Sequence, residues 1–309
     1  MTLKIGVIGT GVMGTYHVKN YAALAAEDKD ITLSGIYDAD PERAAKVAEE
    51  YGTKPFSSLQ EFADNVDAAS VVCPTIFHYE TGMYLLSKGI PCLIEKPLAV
   101  TKSDCETLIK TAKEANVIMQ VGHIELFNPA VTVLFNLLKE QKPVIYKASA
   151  FRMSPASSRI TDVDVTEDLM IHDIYVIREI IKTVYGESAV DYTAATGFDT
   201  GRDFASALFR FSSKTYASCC VSRISSPRVR TLDLFTDIGQ FHLDFIAQTL
   251  QQRVDDGIKD IPVEKAFSLE LEIKSFINCL KNGTLPICDG EEALKSMEIL
   301  WQIKDRMNT

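Results

Sequence analysis

Apolar and polar positions follow two different rhythms along the chain. Up to about residue 123, short apolar runs at 5–8, 31–37, 69–73, 92–95 and 117–121 are separated by helix-length segments ending near 26 and covering 41–51, 79–88 and 103–115. Strands that alternate with helices in this way predict parallel βαβ units and a doubly wound α/β sheet. Beyond residue 123 the texture changes. A helix over 128–141, a strand over 144–151, a loop containing Ser and Pro and a helix over 165–185 precede strand candidates at 190–198, 204–211, 215–223, 229–235 and 240–245. This order predicts an α+β unit with a large, mostly antiparallel open sheet. Helices over 269–282 and 291–307 close the chain and are candidates to pack back on the first half. The expected domains are therefore 1–123 and 124–309.

Period-two alternation in 215–223 puts Ala217, Cys219 and Val221 on one face and Tyr216, Ser218, Cys220 and Ser222 on the other. Helices can cover only one face, so the other is expected to meet a second copy, giving a homodimer or homotetramer.

The first apolar run leads into Gly9-Thr10-Gly11-Val12-Met13-Gly14, and the second ends on Asp38, 24 positions after Gly14. A lone glycine pattern would carry little weight; here the strand, helix, second strand and acidic residue that a dinucleotide site requires are all present. Gly9 permits the turn out of the strand, Gly11 lets backbone approach a pyrophosphate, and Gly14 permits close packing of helix on strand. The helix N-terminus favours the phosphates. Asp38 can accept hydrogen bonds from the adenosine ribose, whereas a 2′-phosphate would meet its charge, so NAD is favoured over NADP. Asp38 or Asp40 is also placed to cap the helix starting near Pro41.

Ligands of such sheets bind beyond the carboxyl ends of the strands. Pro74, Thr75 and His78 after the third run, Glu95-Lys96-Pro97 after the fourth, and Gly122-His123 after the fifth are expected to line the cofactor crevice. Farther on, Asp168 and His172 stand four apart and share a helix face, while Asp173 is turned about 100° away. A carboxylate oriented on an imidazole is a common general base near neutral pH; the plainer alternative is a pair that only stabilises a helix.

Composition narrows the classes. The 309 residues, 46% hydrophobic and 24% charged, are ordinary for a two-domain globular protein. A net charge of −10 argues against tracking nucleic-acid phosphates. There is no apolar run of membrane-spanning length, and no signal-peptide layout at the N-terminus, so a cytoplasmic protein is expected. The seven cysteines show no metal-ligand spacing and read as buried hydrophobes in a reducing compartment; no metal is expected.

Taken together, Gly9-x-Gly11-x-x-Gly14, Glu95-Lys96-Pro97 and Asp168-x-x-x-His172 resemble the glucose-fructose oxidoreductase, inositol dehydrogenase and rhizopine-catabolism (Gfo/Idh/MocA) family, and the resemblance extends to Asp289-Gly290-x-x-Ala293-Leu294. It implies an NAD(P)-dependent oxidoreductase acting on a secondary alcohol of a sugar or cyclitol. Lys96 would lie near the nicotinamide, with Asp168 and His172 lining the substrate. The segment from Val121 to Pro129 further resembles V-G-H-x-E-R-F-N-P of members that oxidise C3 of UDP-N-acetylglucosamine, with Leu126 in place of the usual arginine. A UDP-N-acetylhexosamine is the expected substrate, contacted by Lys96, Glu125, Asn128, Arg152, Arg159, Asp168 and His172; guanidinium forks suit a diphosphate. A free-sugar, inositol or sugar-acid dehydrogenase is the alternative within the family. A non-catalytic NAD-sensing regulator is the alternative outside catalysis, disfavoured by retention of Lys96 and His172.

Overall fold

The computed structural model describes residues 2–155, 163–198 and 203–307. It divides into two compact units, one of Met1–His123 with Leu269–Leu294, the other of Ile124–Ser268 with Lys295–Thr309.

In the first unit β1 (Leu3–Ile8), α1 (Val12–Glu27), β2 (Ile31–Tyr37), α2 (Pro41–Tyr51), α3 (Leu59–Ala63), β3 (Ala68–Val71), α4 (His78–Ser87), β4 (Cys92–Glu95), α5 (Lys102–Glu114) and β5 (Met119–Gly122) follow one another. The five strands form one parallel sheet in the order β2-β1-β3-β4-β5. Their residues are apolar on both faces because helices cover both sides. Ile5, Val7, Ile36 and Leu93 are buried with Val18 and Tyr21 of α1, and α8 (Ser268–Asn282) adds Ile273, Phe276 and Ile277 to the same core. Each such side chain contributes about 1.5–3 kcal/mol by leaving water. The strand order reverses at β1, so the crevice opens beyond the carboxyl ends of β1 and β3.

The second unit holds α6 (Pro129–Gln141), β6 (Ile145–Met153), α7 (Ile171–Tyr185), β7 (Val190–Phe198), β8 (Phe204–Phe211), β9 (Tyr216–Ser222), β10 (Val229–Thr236), β11 (Gly239–Asp244), β12 (Thr249–Val254) and β13 (Gly257–Ile261). The sheet runs β13-β12-β11-β10-β6-β9-β8-β7, antiparallel throughout except for the parallel pair β6–β9. As alternation predicts, Ala217, Cys219 and Val221 are buried, level with Ala148 and Ala150 of β6. Helices α6 and α7 pack on strands of this sheet. The opposite face leaves Phe151, Leu208, Tyr216 and Phe235 between 38% and 46% exposed. The last helix, α9 (Gly290–Met307), begins in the first unit and ends in the second.

Three features depart from the sequence pattern. The hairpin β12–β13 is absent from it because both strands are short and rich in polar residues, and β13, at the sheet edge, is largely exposed. Its signal was the turn: Val254 pairs with Gly257 across Asp255-Asp256, and Gly257 takes φ +127. Helix α3, only five residues long, gives too short a pattern to register. The third departure is a π turn, Thr166–Met170, that precedes α7 where an unbroken helix is expected.

Candidate active site

The cofactor-facing part of the first unit is built from backbone. Gly9 has φ +88, and a Cβ there would lie 2.7 Å from backbone atoms of Val72 and Cys73. A Cβ on Gly14 would come within 1.8 Å of the Gly9 carbonyl oxygen, so any side chain would push α1 off the loop. By contrast, a Cβ on Gly11 meets nothing within 4 Å: this face of the loop is open, as a pyrophosphate needs. No side chain caps the first amides of α1, which begins at Val12 after Gly11. Around the opening Val12, Met13, Ile76 and Phe77 stand exposed, an unusual set of apolar side chains to leave in water on a single unit. These residues fit a dinucleotide.

Asp38 ends this half of the site. Its Oδ2 accepts from the Thr10 amide (2.6 Å) and hydroxyl (2.8 Å), and its Oδ1 accepts from the Asp40 amide (2.9 Å). Arg43 donates to both oxygens, Nη2 to Oδ1 at 2.6 Å and Nε to Oδ2 at 3.1 Å. Burial alone would raise the carboxyl, but Arg43 and the Asp40 and Thr10 donors outweigh it and hold the group down at about 2. Asp38 is therefore charged at any physiological pH, and Arg43 has its guanidinium engaged by that charge. Of the two capping candidates, Asp40 caps α2, accepting from the Glu42 and Arg43 amides.

Glu95 and Lys96 follow β4. Glu95 is buried, Lys96 half-buried, and the Lys96 amide donates to Glu95 Oε2 at 3.1 Å. Thr75 is buried and Pro74 exposed at the start of a short 3₁₀ turn, Thr75–Phe77. His123 is buried, its amide donating to the Val121 carbonyl at 2.8 Å. His78 requires a correction. It is buried with both ring nitrogens 2.9 Å from carbonyl oxygens, Nδ1 from Pro97 and Nε2 from Cys73, so it is a strut between two loops, not a cofactor contact. Burial lowers its pKa although both carbonyls favour the protonated ring.

In the second unit the turn carrying Asp168 and His172 is tightly anchored. Asp164 Oδ1 accepts from the Thr166 amide (2.9 Å), the Thr166 hydroxyl (2.6 Å) and the Glu167 amide (3.1 Å), and its carbonyl accepts from the Asp168 amide (3.0 Å). Lys304 of α9 bridges Asp164 (2.9 Å) and Glu167 (2.7 Å). Arg223 donates to the Val163 carbonyl (3.0 Å) and to Asp203 (3.0 Å). Asp168 is mostly buried and His172 half-buried. Lys304 and Arg223 were missed by sequence reasoning because nothing in the local pattern ties them to residues 60 or more positions away. A π turn is an uncommon element that recurs at functional sites.

Three expected substrate contacts turn inward instead. Arg152 is 1% exposed; its Nε and Nη2 donate to Asp173 Oδ1 (3.0 and 2.8 Å) and its Nη1 to Glu125 Oε1 (2.7 Å). Burial works against the guanidinium charge, but Asp173 and Glu125 more than restore it. Burial pushes Asp173 up from the ordinary carboxylate range despite Arg152. Asn128 caps α6 through Oδ1 to the Ala130 amide (3.1 Å), and its Nδ2 donates to the Phe245 carbonyl (2.9 Å). Arg152, Glu125 and Asn128 thus form a buried polar network and are corrected from substrate ligands to structural partners. Leu126 is buried, so an apolar side chain suits its place. Arg159 lies outside the described residues. A shallow cleft of about 520 Å³ between Val190–Ala195 and Gln302 and Arg306 contains none of the candidate residues. No helix among the described residues is long and apolar enough to cross a membrane.

A Rossmann unit with an open glycine loop and an acidic residue just after its second strand fits an NAD-binding oxidoreductase. Residues 3–123 match the family described as "Oxidoreductase family, NAD-binding Rossmann fold". Over that stretch the chain resembles the Gfo/Idh/MocA oxidoreductases, and similar proteins include dehydrogenases of UDP-N-acetylglucosamine and of myo-inositol. It is 29% identical to the UDP-N-acetylglucosamine 3-dehydrogenase of Acidithiobacillus ferrooxidans over 98% of this chain and 96% of that protein. The solved structure of that enzyme superposes with TM-score 0.90 at 28% identity, covering 99% and 98% of the two chains. The myo-inositol 2-dehydrogenase of Thermotoga maritima is 26% identical, over 94% of this chain and 92% of its own. A levoglucosan dehydrogenase solved with NADH and levoglucosan shares the fold, with TM-score 0.87, 18% identity and coverage of 100% and 97%.

Proposed function

We propose that the protein oxidises a secondary alcohol on a sugar ring, with C3 of a UDP-N-acetylhexosamine as the reacting carbon. NAD supplies the hydride acceptor. His172 takes the hydroxyl proton as the C–H bond gives up its hydride, Lys96 polarises the reacting oxygen, and Asp168 orients the imidazole. What supports the reading is the anchored π turn that carries Asp168 and His172, together with likeness along the full chain to a UDP-N-acetylglucosamine 3-dehydrogenase. Thr10, Gly11, Val12, Met13, Pro74, Thr75 and His123 are proposed around the cofactor, and Lys96, Asp168, His172 and Arg159 around the sugar.

The inward turn of Arg152, Glu125 and Asn128 favours a second reading, a dehydrogenase of unphosphorylated sugars or inositol, because it removes a fork suited to a diphosphate. A panel of UDP-N-acetylhexosamines, free sugars and inositol with NAD, read by reduced-nicotinamide absorbance, separates the two. UDP-sugar turnover, with a KM raised in Arg159→Ala while that for NAD is unchanged, supports the first. Turnover of inositol or a free sugar with no response to any UDP-sugar transfers the assignment to the second. Lys96→Ala is expected to lower turnover under either.

The exposed Phe151, Leu208, Tyr216 and Phe235 support assembly of two or four copies through the open sheet face. Sedimentation should give a dimer or tetramer for the wild type and a monomer for Leu208→Asp. A cytoplasmic site of action fits cysteines that are thiols and mostly buried.

A further inference from the structure

Beneath the Lys96 turn lies a sealed cluster that the proposed chemistry does not use. His17 of α1, Glu95 of β4 and Glu272 of α8 each present one nitrogen or oxygen atom within 4.8 Å of the others, and all three are buried. His17 spans two strands: Nδ1 is 3.2 Å from Ser70 Oγ, and Nε2 is 3.3 Å from Glu95 Oε1. Tyr21 completes that side with its hydroxyl 2.8 Å from Ser70 Oγ. Glu95 is pinned from the other side by backbone. It pairs with Gly122 of β5, where a Cβ would lie 3.0 Å from the Glu95 carboxyl carbon and 3.1 Å from both its oxygens. Its carboxyl therefore lies close against β5, where any side chain at Gly122 would press on it.

Glu272 is the odd member. It is 0% exposed, only its backbone carbonyl is engaged, by Gln120 Nε2 at 3.4 Å, and neither carboxyl oxygen has a hydrogen-bond partner among the described residues. Two ionised carboxylates buried this close together would be costly. Burial first, and then the charge of Glu95, push Glu272 well above the ordinary glutamate range. Burial alone would raise Glu95 too, but the His17 hydrogen bond and the Lys96 charge outweigh it and lower that group. Of two carboxyls packed this closely, Glu272 is the one whose surroundings favour keeping the proton, and a protonated carboxyl has an O–H to donate.

We propose that Glu272 is a positioning residue: its proton is held against Glu95, directly or through one water, so that Glu95 keeps one charge and one orientation under the Lys96 amide. The cluster acts on the reaction only through Lys96, and in that respect the inference rests on the function proposed above. The groups that face Glu272 are His17 and Tyr21 from α1, Glu95 from β4 and Gln120 from β5; Ser70 of β3 bonds His17 and Tyr21, and Lys96 acts on Glu95.

The test uses Glu272→Gln, which mimics the neutral acid, against Glu272→Ala, which removes it. Because the folded protein holds this proton where an unfolded glutamate has lost it, wild-type stability falls as pH rises above the ordinary glutamate value. The E272Q substitution removes that titration. Its Tm should exceed the wild type's by at least about 2 °C near pH 8, with the gap closing toward pH 5. This readout needs no substrate, so it stands whatever becomes of Lys96 as a catalytic group. In turnover, E272A should lower kcat about tenfold or more at unchanged NAD affinity, and E272Q should restore it. A Tm for E272Q below wild type at every pH would overturn the proposal. So would stoichiometric metal retained by the wild type and lost in E272Q. An E272A enzyme that is less stable but has full kcat would reduce Glu272 to a packing role.

Discussion

The glycine loop after β1 and the polar residues around the loop that follows β5 are built on different constraints. In the first, Gly9 and Gly14 occupy positions that backbone geometry leaves to glycine. In the second, Glu125, Asn128 and Arg152 are polar because they satisfy one another inside the protein. A site written in backbone constraints can be read one residue at a time; a site written in side-chain partners needs the partner in view.

That contrast can be broken most directly at two neighbours on one helix. His172→Ala should cut turnover by roughly 10²- to 10⁴-fold, about 3–5 kcal/mol of barrier, with Tm and NAD affinity nearly unchanged. Full activity in that variant would leave Asp168 and His172 as a helix-stabilising pair. One position along, the partner of Asp173 should behave in the opposite way. Arg152→Ala leaves Asp173 without its hydrogen-bonded cation and Glu125 with only the longer Arg230 contact (3.7 Å), and should cost about 3–5 kcal/mol in denaturant unfolding. A mild loss of stability with a large rise in the KM of a UDP-sugar would return Arg152 to the ligand.

Smaller effects sharpen the cofactor side. Asp38→Ala should weaken NAD about tenfold and tighten NADP, because Arg43 is released to face a 2′-phosphate. Titration of both cofactors decides it, and an unchanged preference would remove Asp38 from ribose recognition. The least effect is expected at the α6 cap: Asn128→Ala should cost about 1 kcal/mol of stability and leave kcat alone.

The order of strands and helices was legible because the two hydrophobic rhythms differ, and β7 and β8 begin and end where alternation puts them. Burial of Arg152 was also legible in part: it shares a face with Ala148 and Ala150, both buried. Its electropositive type suggested a phosphate because Asp173, 21 residues on, could not be paired with it by any local rule. His78 misled for the same reason, since an imidazole after a strand end reads alike whether it faces a ligand or two carbonyls. The hairpin β12–β13 was lost to polarity, although Asp256-Gly257 marked its turn.

The π turn at Thr166–Met170 bears on how such a site changes over time. A π turn is a helix that has taken in one residue beyond the α count. Loss of a single codon between Thr166 and Met170 would restore the α register, leave α7 and its buried Ile174, Ile177 and Ile181 where they are, and rotate the residues ahead of it by about 100°. Asp168 would then face a new direction with no substitution anywhere in the core. The lineage thus has at hand a one-step edit that alters what stands beside His172, and the anchor formed by Asp164, Glu167 and Lys304 would be the first structure to resist it.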